Sequence, residues 1–155
     1  EGVRPVLAES QALVVPSSLG NPRRVSNGFD YSRSMLLLAV LEKRGGLMVG
    51  GCAAYLNVIG GLYLEEPAAD LAAILALASS FRDKPVPNDL AAIGEVGLTG
   101  ELRAASALGQ RLTEVKRLGF TKCMIPKRIQ GKLSVPDGLE LIRVANIREA
   151  MATLL

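Results

Sequence analysis

The side chains with the clearest capacity to bind a ligand are arginines and lysines, and they are unevenly spread along the chain. Residues 20–50 contain five basic and two acidic side chains, residues 51–102 contain two and seven, and residues 103–132 contain eight and one. Two basic segments around an acidic middle could form one basic face, as expected of a protein that binds phosphate backbones. Solvated helix surfaces could produce the same pattern.

The segment GNPRR provides the sharpest local candidates for phosphate contacts. Arg23 and Arg24 follow a glycine and a proline, so we expect an exposed loop from which both guanidinium groups can reach phosphate oxygens. Lys43 and Arg44 end a predicted helix, where favourable interaction with the helix dipole could also explain them. Lys84 lies in a proline-rich loop. The other candidates, some of which could serve subunit contacts, are Arg103, Arg111, Lys116, Arg117 and Lys122.

The number and placement of the aromatic residues indicate how a nucleic acid would be bound. The three phenylalanines and three tyrosines are scattered, and tryptophan is absent. No strand therefore carries the row of aromatic side chains on which single-stranded bases stack. We expect contacts mainly to phosphates, with little sequence preference.

Catalytic options are narrow because the chain contains no histidine. This excludes Ser-His-Asp and Cys-His centres as well as imidazole metal ligands. Cys52 and Cys123 are far apart without a C-x-x-C pair, which favours buried thiols in a reducing compartment such as the cytoplasm over a disulfide or a zinc site. No G-x-x-x-x-G-K-[ST] motif occurs, so nucleotide binding through a P-loop is not expected.

The elements that must position these residues are short and mixed in order. A chain of 155 residues suits a single domain, and the order of helices and strands predicts the α+β class. The uncharged stretch 45–64 contains six glycines and Asn57, which favours short buried strands over a membrane span. Predicted strands are 3–15, 54–59, 122–126 and 139–144, with a hairpin over 91–103. Predicted helices are 31–43 with Asp30 as N-cap, 67–81, 107–118 and 147–155.

The helix beginning at Pro67 has an unusual composition. Pro67 suits a first helical position, and Glu65 and Glu66 suit the positive end of the helix dipole. Six of the eleven residues from Ala68 to Ala78 are alanine, and the segment is apolar on nearly all sides. We expect a helix buried on most of its surface.

Taken together, the segments resemble a known family. The chain is similar to the C-terminal Lon-protease-like domain of bacterial RadA (Sms) DNA repair proteins, over nearly its whole length. The resemblance is carried by EGVRPVLAESQALV, GNPRRVSNGFDYSR, LLLAVLEKR, EPAADLA, SSFRDKPVP, GEVGLTGELRA and RLGFTKCMIP.

The resemblance implies a Lon-type proteolytic domain fold, with mixed sheets packed against about four helices. It also implies that the chain, which begins as though inside a longer protein, follows a zinc-binding motif and a RecA-like ATPase domain. The family acts as a hexameric, ATP-driven motor on DNA in recombination and branch migration, and its Lon-like part helps to form the ring and to bind DNA. ATP, magnesium and zinc would belong to those other parts, and a recombinase or other repair proteins are possible partners.

The resemblance further implies that this domain is not an enzyme. Lon proteases use a serine at a helix start and a lysine further on, and the alignment places Ala68 and Gly109 at these positions. Ser106, Gln110 and Arg111 do not replace them, since arginine stays protonated and glutamine is no base. Lys116 is two helical turns from Gly109, about 10 Å. Two alternatives remain open: a peptidase using Ser79, Ser106 or Lys116, or a purely structural ring-forming module.

Overall fold

The computed structural model describes residues 8–59 and 66–155. These residues form eight strands and four α-helices, with one 3-10 turn before the second helix. The strands are β1 (Glu9–Pro16), β2 (Arg24–Asn27), β3 (Cys52–Ile59), β4 (Leu90–Ala92), β5 (Glu95–Val96), β6 (Leu102–Arg103), β7 (Lys122–Pro126) and β8 (Glu140–Val144). The helices are α1 (Tyr31–Lys43), α2 (Asp70–Arg82), α3 (Leu108–Arg117) and α4 (Ile147–Leu154), and the 3-10 turn is Pro67–Ala69.

The start and end of α1 match the sequence prediction. The Asp30 carboxylate accepts a hydrogen bond from the backbone N–H of Arg33, which is the N-cap interaction expected from the sequence. The helix ends at Lys43, and Gly46 adopts the left-handed φ of 77° shortly afterwards. Local capping signals therefore mark both ends of this helix correctly.

The first sheet has the order β1-β3-β2. β3 pairs antiparallel with β1 from Glu9↔Ile59 to Pro16↔Cys52, and parallel with β2, where Arg24 is opposite Ala54. The predicted loop at Arg24 is therefore wrong at its last residue, because Arg24 already belongs to β2. Within residues 45–59 the structure contains the single strand β3 rather than several short ones, and the predicted strand residues 3–7 lie outside the described residues.

The second sheet is parallel, with the order β4-β7-β8. Its two faces bury different partners because side chains alternate along a strand. Met124 and Val144 belong to the main core with α1, α2 and α4. Cys123 and Ile125 belong to a second cluster with residues of α3, including Leu112. Burial raises the pKa of the Cys123 thiol to about 12.

The predicted hairpin is present but shorter than expected. β5 and β6 pair antiparallel through Glu95↔Arg103 and Val96↔Leu102. The beginning of the predicted hairpin instead forms β4, which pairs with β7.

Helix α2 lies between the two sheets and is largely buried, as its composition predicts. Leu71, Ala73 and Ala78 are fully buried, and the small alanines allow close approach to β1. The predicted helix start at Pro67 is confirmed, although the first turn is 3-10. The predicted α+β class is confirmed, and none of the described helices is long and apolar enough to cross a membrane.

Candidate nucleic-acid interface

Four separate segments that meet at one end of the second sheet carry six exposed cationic residues. We call this surface the basic rim and define it by Lys43, Arg44, Arg103, Lys127, Arg128 and Arg148. Lys43 and Arg44 end α1, Arg103 lies on β6, Lys127 and Arg128 follow β7, and Arg148 is in the first turn of α4.

Direct contacts connect the end of α1 to the start of α4 and to the turn between β5 and β6. The Nε of Arg148 donates to the carbonyl of Arg44 at 2.7 Å. Gly100 faces the Arg44 side chain so closely that an added Cβ would lie 3.0 Å from the Cβ of Arg44. The carbonyl of Gly100 accepts from the N–H of Ile147 at 2.9 Å. Arg44 and Arg148 therefore belong to one surface.

Backbone hydrogen bonds extend this surface to β6 and to the segment after β7. The N–H of Leu102 donates to the carbonyl of Ala145 at 3.1 Å, and the N–H of Lys127 donates to the carbonyl of Val144 at 2.8 Å. Both acceptors are at the carboxyl end of β8. Arg103 and Lys127 are therefore brought to the same edge of the sheet, although they are far apart in sequence.

The basic rim carries six positive charges, with three carboxylates nearby. Among the described residues, its one ion pair joins Arg103 to Glu101, with Nη2 and Oε2 2.8 Å apart. Hydrogen bonds from Thr99 and Arg103 lower the pKa of Glu101 to about 2. Two other nearby carboxylates are engaged by backbone donors: Glu149 accepts from Ala145 N–H at 2.7 Å, and Glu42 accepts from Gly50 N–H at 2.6 Å. The basic rim can therefore bind a polyanion without first breaking a network of ion pairs.

Arg23 and Arg24 differ from each other in the structure. Arg23 is exposed, whereas Arg24 is half-buried and its guanidinium donates to the carbonyls of Cys52, Val49 and Gly50 at 3.1, 3.1 and 3.2 Å. Arg24 thus holds the loop that leads into β3. Together with Glu42, Lys43 and Gly50 it lines a shallow depression beside the basic rim.

The remaining predicted contacts lie away from the basic rim. Lys84 donates to the carbonyl of Leu155 at 2.9 Å, at the end of α4 opposite Arg148. Lys122 opens β7, about 16 Å of strand away from Lys127. Lys116 and Arg117 end α3 close to Lys122 in the chain, and Arg117 forms an ion pair with Glu114 that raises its pKa.

Sequence reasoning missed three cations of the basic rim: Lys127, Arg128 and Arg148. The first two are within the basic segment 103–132, so the charge count contained a signal for them. Arg148 had no such signal, because its neighbourhood depends on the pairing of β7 with β8 and on the turn at Gly100.

The segments that carry Ala68 and Gly109 also lie together. Ala68 is buried in the second hydrophobic cluster with Ile93 and Leu108, and its carbonyl accepts from Gly94 N–H at 3.0 Å. Gly109 is in the first turn of α3, and a Cβ added to it would meet no heavy atom within 4 Å.

An ion pair spans these two segments. The Nη2 of Arg111 is 2.8 Å from Oε1 of Glu66, and the Nε of Arg111 donates to the carbonyl of Ser106 at 2.7 Å. Glu66 precedes Ala68 by two residues, and Arg111 follows Gly109 by two. Arg111 therefore ties the start of α3 to the turn that precedes α2.

A second ion pair fixes the start of α2. The Asp70 side chain is fully buried and accepts from Nε of Arg33 at 2.9 Å, from Nη2 of Arg33, and from Val96 N–H at 3.0 Å. The hydrogen bond to Asp70 raises the pKa of Arg33. Among the described residues, no group of three or more His, Cys, Asp or Glu side chains is arranged to hold a metal ion.

Comparison with known proteins identifies a family model that matches more than half of the chain. Residues 59–155 match the family model of the Lon protease (S16) C-terminal proteolytic domain. The chain belongs to this family. The match covers β4 to β8 and α2 to α4, including the positions of Ala68 and Gly109. The predicted Lon-type fold is confirmed.

Individual relatives extend the similarity to the whole chain. The chain is 51% identical to DNA repair protein RadA of Bacillus subtilis over 155 residues, covering 100% of the chain and 34% of the relative. It is 46% identical to DNA repair protein RadA of Streptococcus pneumoniae over 151 residues, covering 97% of the chain and 36% of the relative. The resemblance to RadA proteins is confirmed, and the chain spans about a third of the length of these relatives.

Proposed function

We propose that this chain is a DNA-binding domain of a RadA-type repair protein, in which a Lon-type fold serves binding instead of peptide hydrolysis. The observation that carries the proposal is the basic rim, which has six exposed cations from four segments. Among the described residues, only one of these cations, Arg103, forms an ion pair. Cations that are exposed and not engaged by carboxylates are available to phosphate oxygens. The RadA relatives at 46–51% identity support DNA as the polyanion.

The mode of binding follows from the side chains that the basic rim offers. Its six members are lysines and arginines, which hold phosphates, and none is an aromatic residue that could stack on a base. Affinity should therefore depend little on sequence and strongly on salt, because each phosphate contact releases counterions.

Fluorescence anisotropy with a labelled oligonucleotide at several salt concentrations tests this proposal. We expect the variant K43Q/K127Q/R148Q to reduce the slope of log affinity against log salt by up to about three, since each lost duplex phosphate contact removes about 0.9. The matched control K116Q/R117Q/K122Q removes the same charge from the opposite end of β7. An unchanged slope in the first variant, or the loss in the control instead, would contradict the assignment.

The proposed absence of peptidase activity rests on Ala68 and Gly109. A methyl group and a hydrogen can neither attack a peptide bond nor assist the attack, and a Ser-Lys pair needs both partners within hydrogen-bond reach. Ser79 donates to the carbonyl of Lys84, and Ser106 is exposed before α3, so neither replaces a serine at position 68. A serine-directed acylating probe tests this point. Stoichiometric labelling of Ser79 or Ser106 would favour the peptidase alternative.

The role within a longer protein is part of the same proposal. We expect the remaining two thirds of a RadA-type chain to supply a RecA-like ATPase and a zinc-binding motif, and the whole to act in the cytoplasm as a hexameric ring in recombination and branch migration. ATP, magnesium and zinc would then bind outside this domain, and a recombinase would be one protein partner. In such a ring, six copies of a modest DNA site gain affinity through effective concentration.

The structural alternative makes a different prediction for the isolated chain. If the domain only assembles the ring, it will show no salt-dependent DNA binding, while sedimentation velocity of the full-length protein will still report a hexamer. Binding by the chain alone, reduced in the rim variant, supports the DNA-binding proposal.

A further inference from the structure

The turn between β5 and β6 presents an apolar side chain within the basic rim. Leu98 is 68% exposed, although leucine gains about 1.5–3 kcal/mol when it is fully buried. Its carbonyl accepts a hydrogen bond from Nε of Arg44 at 3.4 Å. Arg44 therefore lies against the turn, and Arg103 lies on the second strand of the same short hairpin.

The turn is held rigidly by its neighbours. The N–H of Gly100 donates to the carbonyl of Gly97 at 2.9 Å, and Gly97 N–H donates to the carbonyl of Glu101 at 2.9 Å. The Glu101 carboxylate accepts from Thr99 N–H at 3.2 Å and from Arg103 at 2.8 Å. This network holds the backbone of the turn in place, so ordering the turn costs little entropy when a ligand binds.

The glycines of the turn allow this arrangement. An added Cβ on Gly97 would lie 2.3 Å from the Glu101 carboxylate, and Gly100 has a φ of 83°, which favours glycine. Gly100 is also held by Ile147 N–H at its carbonyl. The hairpin tip is therefore anchored to α1 and α4, the helices that carry Arg44 and Arg148.

From this geometry we infer that Leu98 inserts between neighbouring bases of the DNA whose phosphates the basic rim holds. The inference rests on the proposed DNA-binding function. Leucine cannot pair with phosphate, but apolar side chains placed among minor-groove or backbone contacts wedge into base steps and partly unstack them. Arg44 at the turn and the other cations of the basic rim attract a polyanion to this place, where the Leu98 side chain is exposed to it. DNA presents negative phosphates to the cations and an apolar base surface to Leu98.

The test uses a duplex that carries 2-aminopurine, a base analogue whose fluorescence rises when it unstacks, and a terminal dye that reports binding by anisotropy. We expect the unmodified chain to raise the 2-aminopurine signal at saturation. The variant L98S should bind with the same salt slope but lose most of this rise. L98M should restore the rise, because methionine is apolar and of similar size.

The control variant L118S removes an exposed leucine from the end of α3, away from the basic rim. It should leave both signals unchanged. Surface substitutions of this kind usually alter stability by less than about 0.5 kcal/mol, so both variants should stay folded.

The possible failures are distinguishable. Absence of salt-dependent binding by the unmodified chain overturns the proposed function and the wedge together. Binding without any 2-aminopurine response overturns the wedge alone, and so does an equal response in L98S. If L98S instead weakens self-association of the chain in sedimentation velocity without changing the fluorescence, Leu98 is a protein contact and the inference is wrong.

Discussion

The polar side chains around the start of α2 are paired with one another, whereas the cations of the basic rim are mostly exposed and unmatched by carboxylates among the described residues. Arg33 shows the first pattern, with both oxygens of the buried Asp70 as acceptors. Arg148 shows the second, with one contact to a backbone carbonyl and an exposed side chain. The same chemical group therefore stabilises the fold in one place and is available to a ligand in the other.

This difference separates the stability of the fold from the binding of a ligand. The frame around Ala68 and Gly109, which comprises the starts of α2 and α3, is held by buried contacts and ion pairs. The proposed DNA-binding surface, the basic rim, lies in another region, around the carboxyl ends of β7 and β8. Substitutions in the frame should therefore reduce the free energy of unfolding, and substitutions in the basic rim should reduce DNA affinity.

The largest effect is expected from breaking the Arg33–Asp70 pair. R33M leaves a fully buried carboxylate without its main partner, and we expect a loss of about 3 kcal/mol in the free energy of unfolding, at the lower end for such pairs because Arg33 keeps 28% of its side chain exposed. Urea denaturation measures the loss. The double variant R33M/D70L should recover part of it, since an apolar pair leaves no buried charge unpaired. A loss below about 1 kcal/mol in the free energy of unfolding of R33M would show that this pair contributes little to stability.

The second comparison uses the adjacent residues Arg23 and Arg24. R24A removes three hydrogen bonds from a charged donor to the loop before β3 and should cost about 2 kcal/mol. R23A should change the free energy of unfolding by less than about 0.5 kcal/mol. Thermal and urea unfolding measure both variants. Equal losses in the free energy of unfolding for R23A and R24A would contradict this distinction.

A smaller effect is expected from the ion pair between the segments that carry Ala68 and Gly109. R111Q removes the contact to Glu66, which is 47% exposed, so the stability cost should be about 1 kcal/mol or less. Because Arg111 is already engaged, the slope of log DNA affinity against log salt should stay unchanged. A lower slope would show that Arg111 contacts DNA, as its place in the basic segment first suggested.

The smallest effect concerns the pH dependence of the hairpin turn. Glu101 has its pKa lowered from 4.5 to about 2, so its charged form favours the folded state. This contribution is complete above pH 4.5 and is lost as the pH falls toward 2. The variant E101Q should therefore lose less stability than the unmodified chain over this pH range. NMR titration of the Glu101 side chain gives the pKa directly, and an ordinary value would refute the network of Thr99 and Arg103.

Much of the fold could be predicted because its signals are local. The Asp30 cap defines α1, and Pro67 marks the beginning of the turn before α2. The strand β2 was not predicted, and β4 was assigned to the hairpin over 91–103, since these strands contain four and three residues and form only by parallel pairing with β3 and β7. Such short strands carry no readable periodicity.

Only part of the candidate interface could be predicted from the sequence, because the rest depends on tertiary contacts. Charge counting found Lys43, Arg44 and Arg103, but it could not show that they share a surface. That result depends on Gly100, whose close approach to Arg44 joins the hairpin to α1, and on the hydrogen bond between Lys127 and Val144. Charge counting also could not show that Arg24 is engaged by three backbone carbonyls.

Lysine acetylation footprinting tests the central claim most directly. The chain is acetylated with and without a duplex oligonucleotide at low salt, and mass spectrometry compares the modification rate of each lysine. The structure predicts that DNA protects Lys43 and Lys127 and leaves Lys116 and Lys122 unprotected. Protection of Lys116 and Lys122 without protection of Lys43 and Lys127 would contradict the assignment of DNA binding to the basic rim.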